Sequence, residues 1–153
     1  MTWLEHRIPP PIVGLLAAGA MWALARLAPG LQFAFEGKLA LAVAIGAIGL
    51  AVDVAGLLEF RRARTTINPL RPEAASALVR SGIFRWTRNP MYLGMAIVLL
   101  GWAIYLAHPL SLLGIACFIA YLNRFQIAPE ERVLERRFGA EFLAFRESVR
   151  RWL

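Results

Sequence analysis

The feature that most constrains this chain is an apolar run at 39–58, LALAVAIGAIGLAVDVAGLL, in which Asp53 is the only charged residue. A helix of about 20 residues rises about 30 Å, which matches the hydrocarbon thickness of a bilayer. Three further apolar runs lie at 12–28, 91–107 and 109–125. A helix satisfies its own backbone hydrogen bonds inside a membrane. The sequence therefore predicts an all-α integral membrane protein with about four transmembrane helices.

The charged residues lie beside the apolar runs rather than on a separate soluble face. Of the 17 basic residues, seven fall in 59–91 and seven in 124–153, and the net charge is +7. Arginines that flank apolar spans are typical of juxtamembrane segments, so we predict no nucleic-acid partner. Basic segments favour the cytoplasmic side, so four crossings place both termini there. We treat 1–153 as a single domain whose polar parts, 59–92 and 126–153, share one membrane side.

Two polar segments carry helix signals of their own. Pro72 precedes the sequence EAASALVR, which predicts a short helix with proline in its first turn. The tail, 129–152, has apolar residues at three- and four-residue spacing with arginines between them. This pattern predicts an amphipathic helix at the membrane interface, with a break at Gly139.

The segment 80–92 combines arginines with aromatic side chains just before the third apolar run. Guanidinium groups suit carboxylates or phosphates, and aromatic faces suit a planar base or a cation. The alternative is a basic and aromatic belt at the membrane interface. A second polar site is Glu130–Glu131, directly after Pro129. These carboxylates could bind hydroxyl or ammonium groups, or they could begin a helix and interact with its dipole.

One apolar segment, 93–129, separates the two polar sites in the sequence. If this segment is a membrane hairpin, both sites lie on the same side of the bilayer. We therefore expect the two sites to form one pocket.

Asp53 is a third candidate, because a carboxylate inside an apolar span needs a partner. It shares a helical face with Gly46, Gly49 and Gly56, a small-residue pattern that allows close helix packing. It could line a substrate cavity, or it could pair with an arginine such as Arg124. The sequence has no glycine-rich nucleotide motif and no HExxH or CxxC motif, and we predict no bound metal.

The chain resembles the isoprenylcysteine carboxyl methyltransferase and phospholipid methyltransferase superfamily in the segment GIFRWTRNPMYLG, the hydrophobic hairpin that follows it, and the tail PEERVLERRFGAEFLAFRESVRRWL. The resemblance covers about 60–153, and the loop TTINPLRP is similar to bacterial members. The superfamily pattern is Arg-His-Pro-x-Tyr, a hairpin, then Glu-Glu. In this chain Asn89 takes the place of the histidine, and Phe142 and Phe145 stand where tyrosines are common.

The resemblance implies an integral membrane enzyme, in a bacterial inner membrane, that uses S-adenosylmethionine on the cytoplasmic side. It implies a lipophilic acceptor from the bilayer whose reactive group could be a carboxylate, an amine, a thiol or a hydroxyl. The implied catalytic residues are Arg88, Glu130 and Glu131. The implied cofactor-binding residues are Gly82, Ile83, Phe84, Arg85, Arg88, Asn89, Pro90, Tyr92, Leu93, Glu130 and Glu131.

Two other functions remain as alternatives at this point. Membrane reductases of related architecture bind a nicotinamide cofactor. A small membrane scaffold could keep the fold without catalysis, although the matched polar residues favour an enzyme.

Overall fold

A computed structural model describes residue 5 and residues 7–65 and 75–153. The described residues form helices joined by loops, with no strand among them, so the predicted all-α class is confirmed. The helices are α1 (Pro10–Leu27), α2 (Lys38–Arg62), α3 (Pro90–Leu106), α4 (Ser111–Leu122), α5 (Ala128–Phe138) and α6 (Ala140–Ser148).

Some helices begin with proline, and residues with a left-handed backbone conformation lie next to some helix ends. α1 and α3 each have proline in the first turn, where a missing N–H removes no helical hydrogen bond. α2 begins after Gly37, whose φ of 78° suits glycine. α3 ends at Leu106, and Ala107, which follows it, has a φ of 47°. The chain then turns through His108 and Pro109 into α4, as the sequence predicts.

Within the ranges that the structure describes, three helical runs are long and apolar enough to cross a membrane, and they are Pro10–Leu27, Lys38–Arg62 and Ser111–Phe138. α3 is a shorter apolar helix of 17 residues, at the lower limit for a crossing. The predicted spans 12–28, 39–58 and 91–107 coincide with α1, α2 and α3 to within about one helical turn at each end. The integral membrane class is confirmed.

α3 contacts α1, α2 and α4. Its contact with α2 is close because glycines face each other there. A methyl group at Gly49 would lie 2.7 Å from the Gly94 carbonyl oxygen, and one at Gly101 would lie 2.8 Å from the Ala42 carbonyl oxygen. Small residues of this kind let two helix backbones approach closely inside a membrane.

The fourth span continues past residue 125, which is its end as predicted from the sequence. α4 passes through a π-helical turn, Asn123–Ile127, directly into α5. The backbone remains helical at Ile127, with φ −68° and ψ −48°. The helix then breaks at Gly139, as predicted, with a φ of 52° that favours glycine.

Two predictions about the polar segments were wrong in part. Residues 75–80 are not helical, and the beginning of the helix predicted from Pro72 lies outside the described residues. The tail helix ends at Ser148, and Val149 is extended, with φ −129° and ψ 135°. α6 packs against the loop before α3 through an apolar cluster distinct from the core of α1, α3 and α4, and its buried residues are Val79, Phe84, Phe142 and Phe145.

Candidate active site

A cavity of about 380 Å³ lies where the first turns of α1 and α3, the last turn of α2 and the α5–α6 tail meet. Among the described residues, the charged ones that line it are Arg88, Glu130 and Glu131. Most of the wall is apolar and includes Phe60, Met91, Met95, Leu134, Phe142 and Phe145. An apolar pocket of roughly 300–1,000 Å³ with a few convergent polar groups is typical of a small-molecule site.

Tyr92 and Glu130 are 38 residues apart in the sequence and meet in this cavity. Tyr92 Oη donates a hydrogen bond of 2.6 Å to Glu130 Oε1. Gln126 Nε2 donates to the same oxygen, also at 2.6 Å. Both donors are neutral, so they orient the carboxylate without cancelling its charge. Glu130 is therefore suited to bind a cationic or N–H group of a ligand.

Glu131 is held by two arginines instead. Arg88 Nη2 donates to Glu131 Oε1 at 2.8 Å. Arg151 donates through Nη2 to Oε2 at 2.5 Å and through Nε to Oε1 at 3.2 Å. The side chains of Arg88 and Glu131 are only 10% and 13% exposed. Hydrogen bonds between charged groups contribute about 1.5–3 kcal/mol each, so Glu131 is firmly fixed.

Arg88 also connects the cavity to the end of the chain. Its Nη1 donates to the carbonyl of Arg146 at 2.9 Å and to the carbonyl of Val149. Its Nε is buried and has no acceptor among the described residues. Leaving a buried donor unsatisfied costs about 1–3 kcal/mol, so this N–H favours a ligand that brings an acceptor oxygen.

The glutamate pair does not begin a separate helix. Both residues lie in the first turn of α5, but the N–H of Ala128 already donates to the Asn123 carbonyl in the preceding π-turn. Stabilisation by a helix dipole acts at unpaired N–H groups of a helix start. The capping interpretation of Glu130–Glu131 therefore loses its physical basis.

Part of the predicted cofactor set does not reach the cavity. The predicted residues that line it are Phe84, Arg88, Asn89, Pro90, Tyr92, Glu130 and Glu131. Gly82 and Arg85 instead line a more open depression of about 480 Å³, and Ile83 packs beside the apolar cluster of α6. Leu93 follows Tyr92 on α3, where successive side chains turn by about 100°, and it is not in the cavity wall.

Gly82 has a structural role at the base of this loop. Its φ is 55°, and a methyl group there would lie 2.6 Å from the carboxyl carbon of Glu59. Glu59 accepts hydrogen bonds from Ser81 Oγ and, at 2.5 Å, from Arg62 Nη1. These contacts hold the 82–85 turn against the end of α2.

Asp53 and Arg124 do not meet, and neither lines the cavity. Arg124 is exposed, and its Nη1 lies 3.8 Å from Glu5 Oε1. Asp53 lies at the α2–α3 contact, where a methyl group at Gly94 would overlap its carboxylate. Its Oδ1 is buried and has no hydrogen-bond partner among the described residues. Contrary to both expectations, Asp53 therefore neither pairs with Arg124 nor lines the cavity. It lies instead where α2 and α3 pack together.

Two polar residues of the network, Gln126 and Arg151, are not among those predicted from the sequence. Gln126 lies four residues before Glu130, and that spacing places both on one helix face, so a helical signal was available. Arg151 lies 20 residues from Glu131, and no local sequence pattern predicts their contact. Phe142 and Phe145 were assigned to the amphipathic tail, whose apolar face forms the cavity wall.

The arrangement can bind an amphiphilic molecule at the end of a membrane helix bundle. Its apolar wall can receive a hydrocarbon chain or a flat ring, while Arg88 and Glu130 present opposite charges. In the part of the chain that the structure describes, no group of three or more His, Cys, Asp or Glu side chains is placed to hold a metal ion.

The fold and the site define the class of this protein. It is a helical membrane protein with a charged and apolar cavity at one end. The chain belongs to the phospholipid methyltransferase family, whose family model matches residues 38–141. The matched range includes Arg88, Tyr92 and the glutamate pair. The superfamily resemblance read from the sequence is confirmed.

Three relatives illustrate the range of similarity. An uncharacterized protein of Haemophilus influenzae is 46% identical over 63 residues, which cover 41% of this chain and 100% of that protein. Protein-S-isoprenylcysteine O-methyltransferase A of Arabidopsis thaliana is 29% identical over 102 residues, covering 67% of this chain and 52% of that protein. Protein-S-isoprenylcysteine O-methyltransferase of Saccharomyces cerevisiae is 34% identical over 82 residues, covering 52% and 33%.

The chain therefore aligns with about half or less of each of these two methyltransferases. No solved structure has a significant match to it.

Proposed function

We propose that this chain is an S-adenosylmethionine-dependent methyltransferase whose acceptor is a lipophilic membrane molecule. The acceptor group would be a carboxylate like that of an isoprenylcysteine or an amine like that of a phospholipid. The observation that carries the proposal is the convergence of Arg88, Tyr92, Glu130 and Glu131 at one apolar cavity. Membership of a methyltransferase family supports methyl transfer, and the cavity supports an amphiphilic ligand.

The cavity residues fit the chemistry of this cofactor. S-adenosylmethionine carries a carboxylate, an ammonium, a sulfonium and a planar base. The unpartnered Nε of Arg88 suits the carboxylate, and the carboxylate of Glu130 suits a cationic group. Phe84 and Phe142 give the wall aromatic surface for the base. Arg88, Tyr92 and Glu130 are therefore the residues that would hold the cofactor.

When bound, the cofactor supplies an electrophilic methyl group for in-line displacement by the acceptor. The chain's contribution is to orient both molecules and to exclude water, and no covalent bond to the protein is needed. Leu134, Phe142 and Phe145 cover the cavity from the tail side and shield it from water. Arg88 and Glu130 orient polar groups through charge-assisted hydrogen bonds.

The two acceptor classes differ in their need for a base. A carboxylate acceptor is already a nucleophile, whereas an ammonium must first lose a proton. With an amine acceptor, Glu130 would face the acceptor instead of the cofactor and accept this proton, because its two hydrogen-bond donors are neutral. Glu131 is less suited, because three N–H groups of Arg88 and Arg151 already bind its oxygens.

We further propose a bacterial inner-membrane location with the cavity on the cytoplasmic side. The exposed arginines concentrate around the cavity end of the bundle, on the segments 61–64, 80–85 and 132–150. Basic segments favour the cytoplasmic face of a membrane.

The cofactor proposal is tested by calorimetry with S-adenosylhomocysteine on the detergent-solubilised protein. Wild type should bind, and Tyr92→Phe should bind about tenfold more weakly, because Glu130 loses the hydrogen bond that orients its carboxylate in the cavity. Tyr105→Phe is the matched control, since Tyr105 is exposed near the other end of α3. A parallel titration with a nicotinamide dinucleotide tests the reductase alternative. Binding of the dinucleotide, or of neither molecule, would overturn the proposal.

A further inference from the structure

The last residues of the chain form a strap, residues 149–152, that lies against the segment before α3. The N–H of Arg88 donates to the carbonyl of Arg150 at 3.0 Å. Thr87 Oγ1 and Asn89 Nδ2 both donate to the carbonyl of Arg151, at 3.2 and 3.0 Å. Three consecutive residues therefore donate hydrogen bonds to backbone carbonyls of the strap. Two of them, Arg88 and Asn89, line the cavity.

The strap is also anchored on the membrane bundle. Trp152 Nε1 donates to Asn123 Oδ1 at 3.0 Å, and the indole packs against the core of α1, α3 and α4. Asn123 begins the π-turn that leads into α5. The strap thus connects the segment before α3, which supplies Arg88, with the junction of α4 and α5, which leads to Glu130 and Glu131.

Arg151 is attached at both of its ends. Its backbone carbonyl is bound by Thr87 and Asn89, and its guanidinium contacts both carboxylate oxygens of Glu131. A planar guanidinium fork that meets both oxygens fixes the plane of a carboxylate, which a single ammonium cannot do.

This fork determines what Arg88 can offer to the cavity. Only one amino group of Arg88, Nη2, contacts Glu131, while Nη1 binds the carbonyls of Arg146 and Val149. The Nε remains without an acceptor among the described residues. Without Arg151, the Glu131 carboxylate would be free to rotate. It would then accept hydrogen bonds from more of the N–H groups of Arg88.

We propose that Arg151 is a positioning residue of this site, which acts through Glu131 to hold the Arg88 guanidinium in its ligand-binding orientation. The inference rests on the proposed function, because it concerns the same cofactor cavity. It predicts that a residue two positions from the end of the sequence governs cofactor affinity without contacting the cofactor.

The test compares Arg151→Ala, Arg151→Lys and the control Arg136→Ala in S-adenosylhomocysteine affinity and in melting temperature, in one detergent. Arg136 is exposed in the last turn of α5 and lines no part of the cavity. Arg151→Ala should weaken binding about tenfold or more, because Glu131 loses a bidentate partner. Arg151→Lys should keep the wild-type melting temperature and still bind more weakly, since lysine cannot hold both oxygens. Arg136→Ala should match wild type in both measurements.

A double-mutant cycle separates positioning from a general loss of structure. In a Glu131→Gln background, Arg151→Ala should change affinity by less than about twofold, because its effect passes through the missing carboxylate. An equal loss in both backgrounds, or wild-type affinity in Arg151→Ala, would overturn the inference while wild-type binding keeps the cofactor proposal intact. Absence of binding by the wild type would overturn the cofactor proposal and the positioning role together.

Discussion

At the scale of single residues, the two adjacent glutamates have different environments. Consecutive positions on a helix are about 100° apart, so one of them faces Tyr92 and the other faces the arginines. Glu130 accepts hydrogen bonds from neutral groups, whereas Glu131 forms ion pairs with Arg88 and Arg151. Glu130 is therefore the member of the pair suited to bind a ligand, and Glu131 is the member that holds the site together.

The first prediction follows from this division. Glu130→Gln should keep its melting temperature, because an amide oxygen still accepts from Tyr92 and Gln126, but cofactor affinity or turnover should fall roughly ten- to a hundredfold. Glu131→Gln should lower the unfolding free energy by on the order of 3 kcal/mol, because it leaves buried Arg88 without its counter-charge. Thermal unfolding, calorimetry and methyl transfer in one detergent measure these effects. Equal behaviour of the two variants would contradict the division.

The sequence indicated several polar residues that meet at the cavity, since Arg88, Tyr92 and the glutamates belong to a pattern whose two halves are joined by a hydrophobic hairpin. The sequence could not predict which residues next to these in the chain point away from the cavity. The 82–85 segment is a short 3₁₀ turn, in which Phe84 is buried while Gly82 and Arg85 are exposed. Closeness in sequence to a site residue therefore does not place a side chain in the cavity.

At the scale of elements, the α2–α3 contact positions the beginning of α3 and so the cavity. Gly49, Gly94 and Gly101 bring the two backbones together, and Gly56 faces Pro90 and Met91 near the cavity. The small-residue face of α2 was visible in the sequence, but its partner helix was not, because helical periodicity identifies a face and not what packs against it.

The second prediction concerns this contact. Gly94→Ala should lower the unfolding free energy by about 1–3 kcal/mol, because the added methyl group would lie 2.6 Å from the Gly49 carbonyl oxygen and overlap Asp53. Gly46→Ala in α2 is the control, since no atom outside the local helix lies within 4 Å of the new methyl group. It should be neutral or stabilising by up to about 1 kcal/mol. Melting temperatures of both variants in the same detergent decide the matter, and a lower value for Gly46→Ala than for Gly94→Ala would contradict the packing argument.

The joint between α4 and α5 shows why a sequence-based helix end can be wrong. Pro129 lacks an N–H, and its ring crowds the carbonyl four residues earlier, so a helix is expected to stop before it. In the structure the π-turn at Asn123–Ile127 widens the helix just ahead of the proline, and the helical run continues to Phe138. Such π-turns are frequent at functional sites, and this one contains Gln126, whose Nε2 donates to Glu130 in the cavity wall.

At the scale of the whole molecule, the polar loops gather at two opposite ends of the bundle. At one end the loop after α1 contacts the α3–α4 turn, through Gln32 Nε2 to the Leu106 carbonyl at 3.1 Å and Phe33 N–H to the Ala107 carbonyl at 3.0 Å. At the other end lie the cavity, the strap and most of the arginines. The charge distribution predicted this segregation, whereas the strap depends on long-range backbone contacts that no local pattern encodes.

The third prediction is that these two ends face opposite sides of the membrane, with the cavity end in the cytoplasm. Glu36 lies in the loop before α2 and Glu147 lies on α6, and both are exposed. The exposed Cys117 is first replaced by alanine so that only an introduced thiol reacts. A membrane-impermeant maleimide added to intact cells should label Glu36→Cys, and it should label Glu147→Cys only after permeabilisation, because the arginine-rich end is retained inside. The paired Glu→Cys changes remove the same charge at each end, so a difference in labelling reports sidedness alone. Three crossings, α2, α3 and α4, separate the two thiols, so labelling of both from the same side would contradict this arrangement.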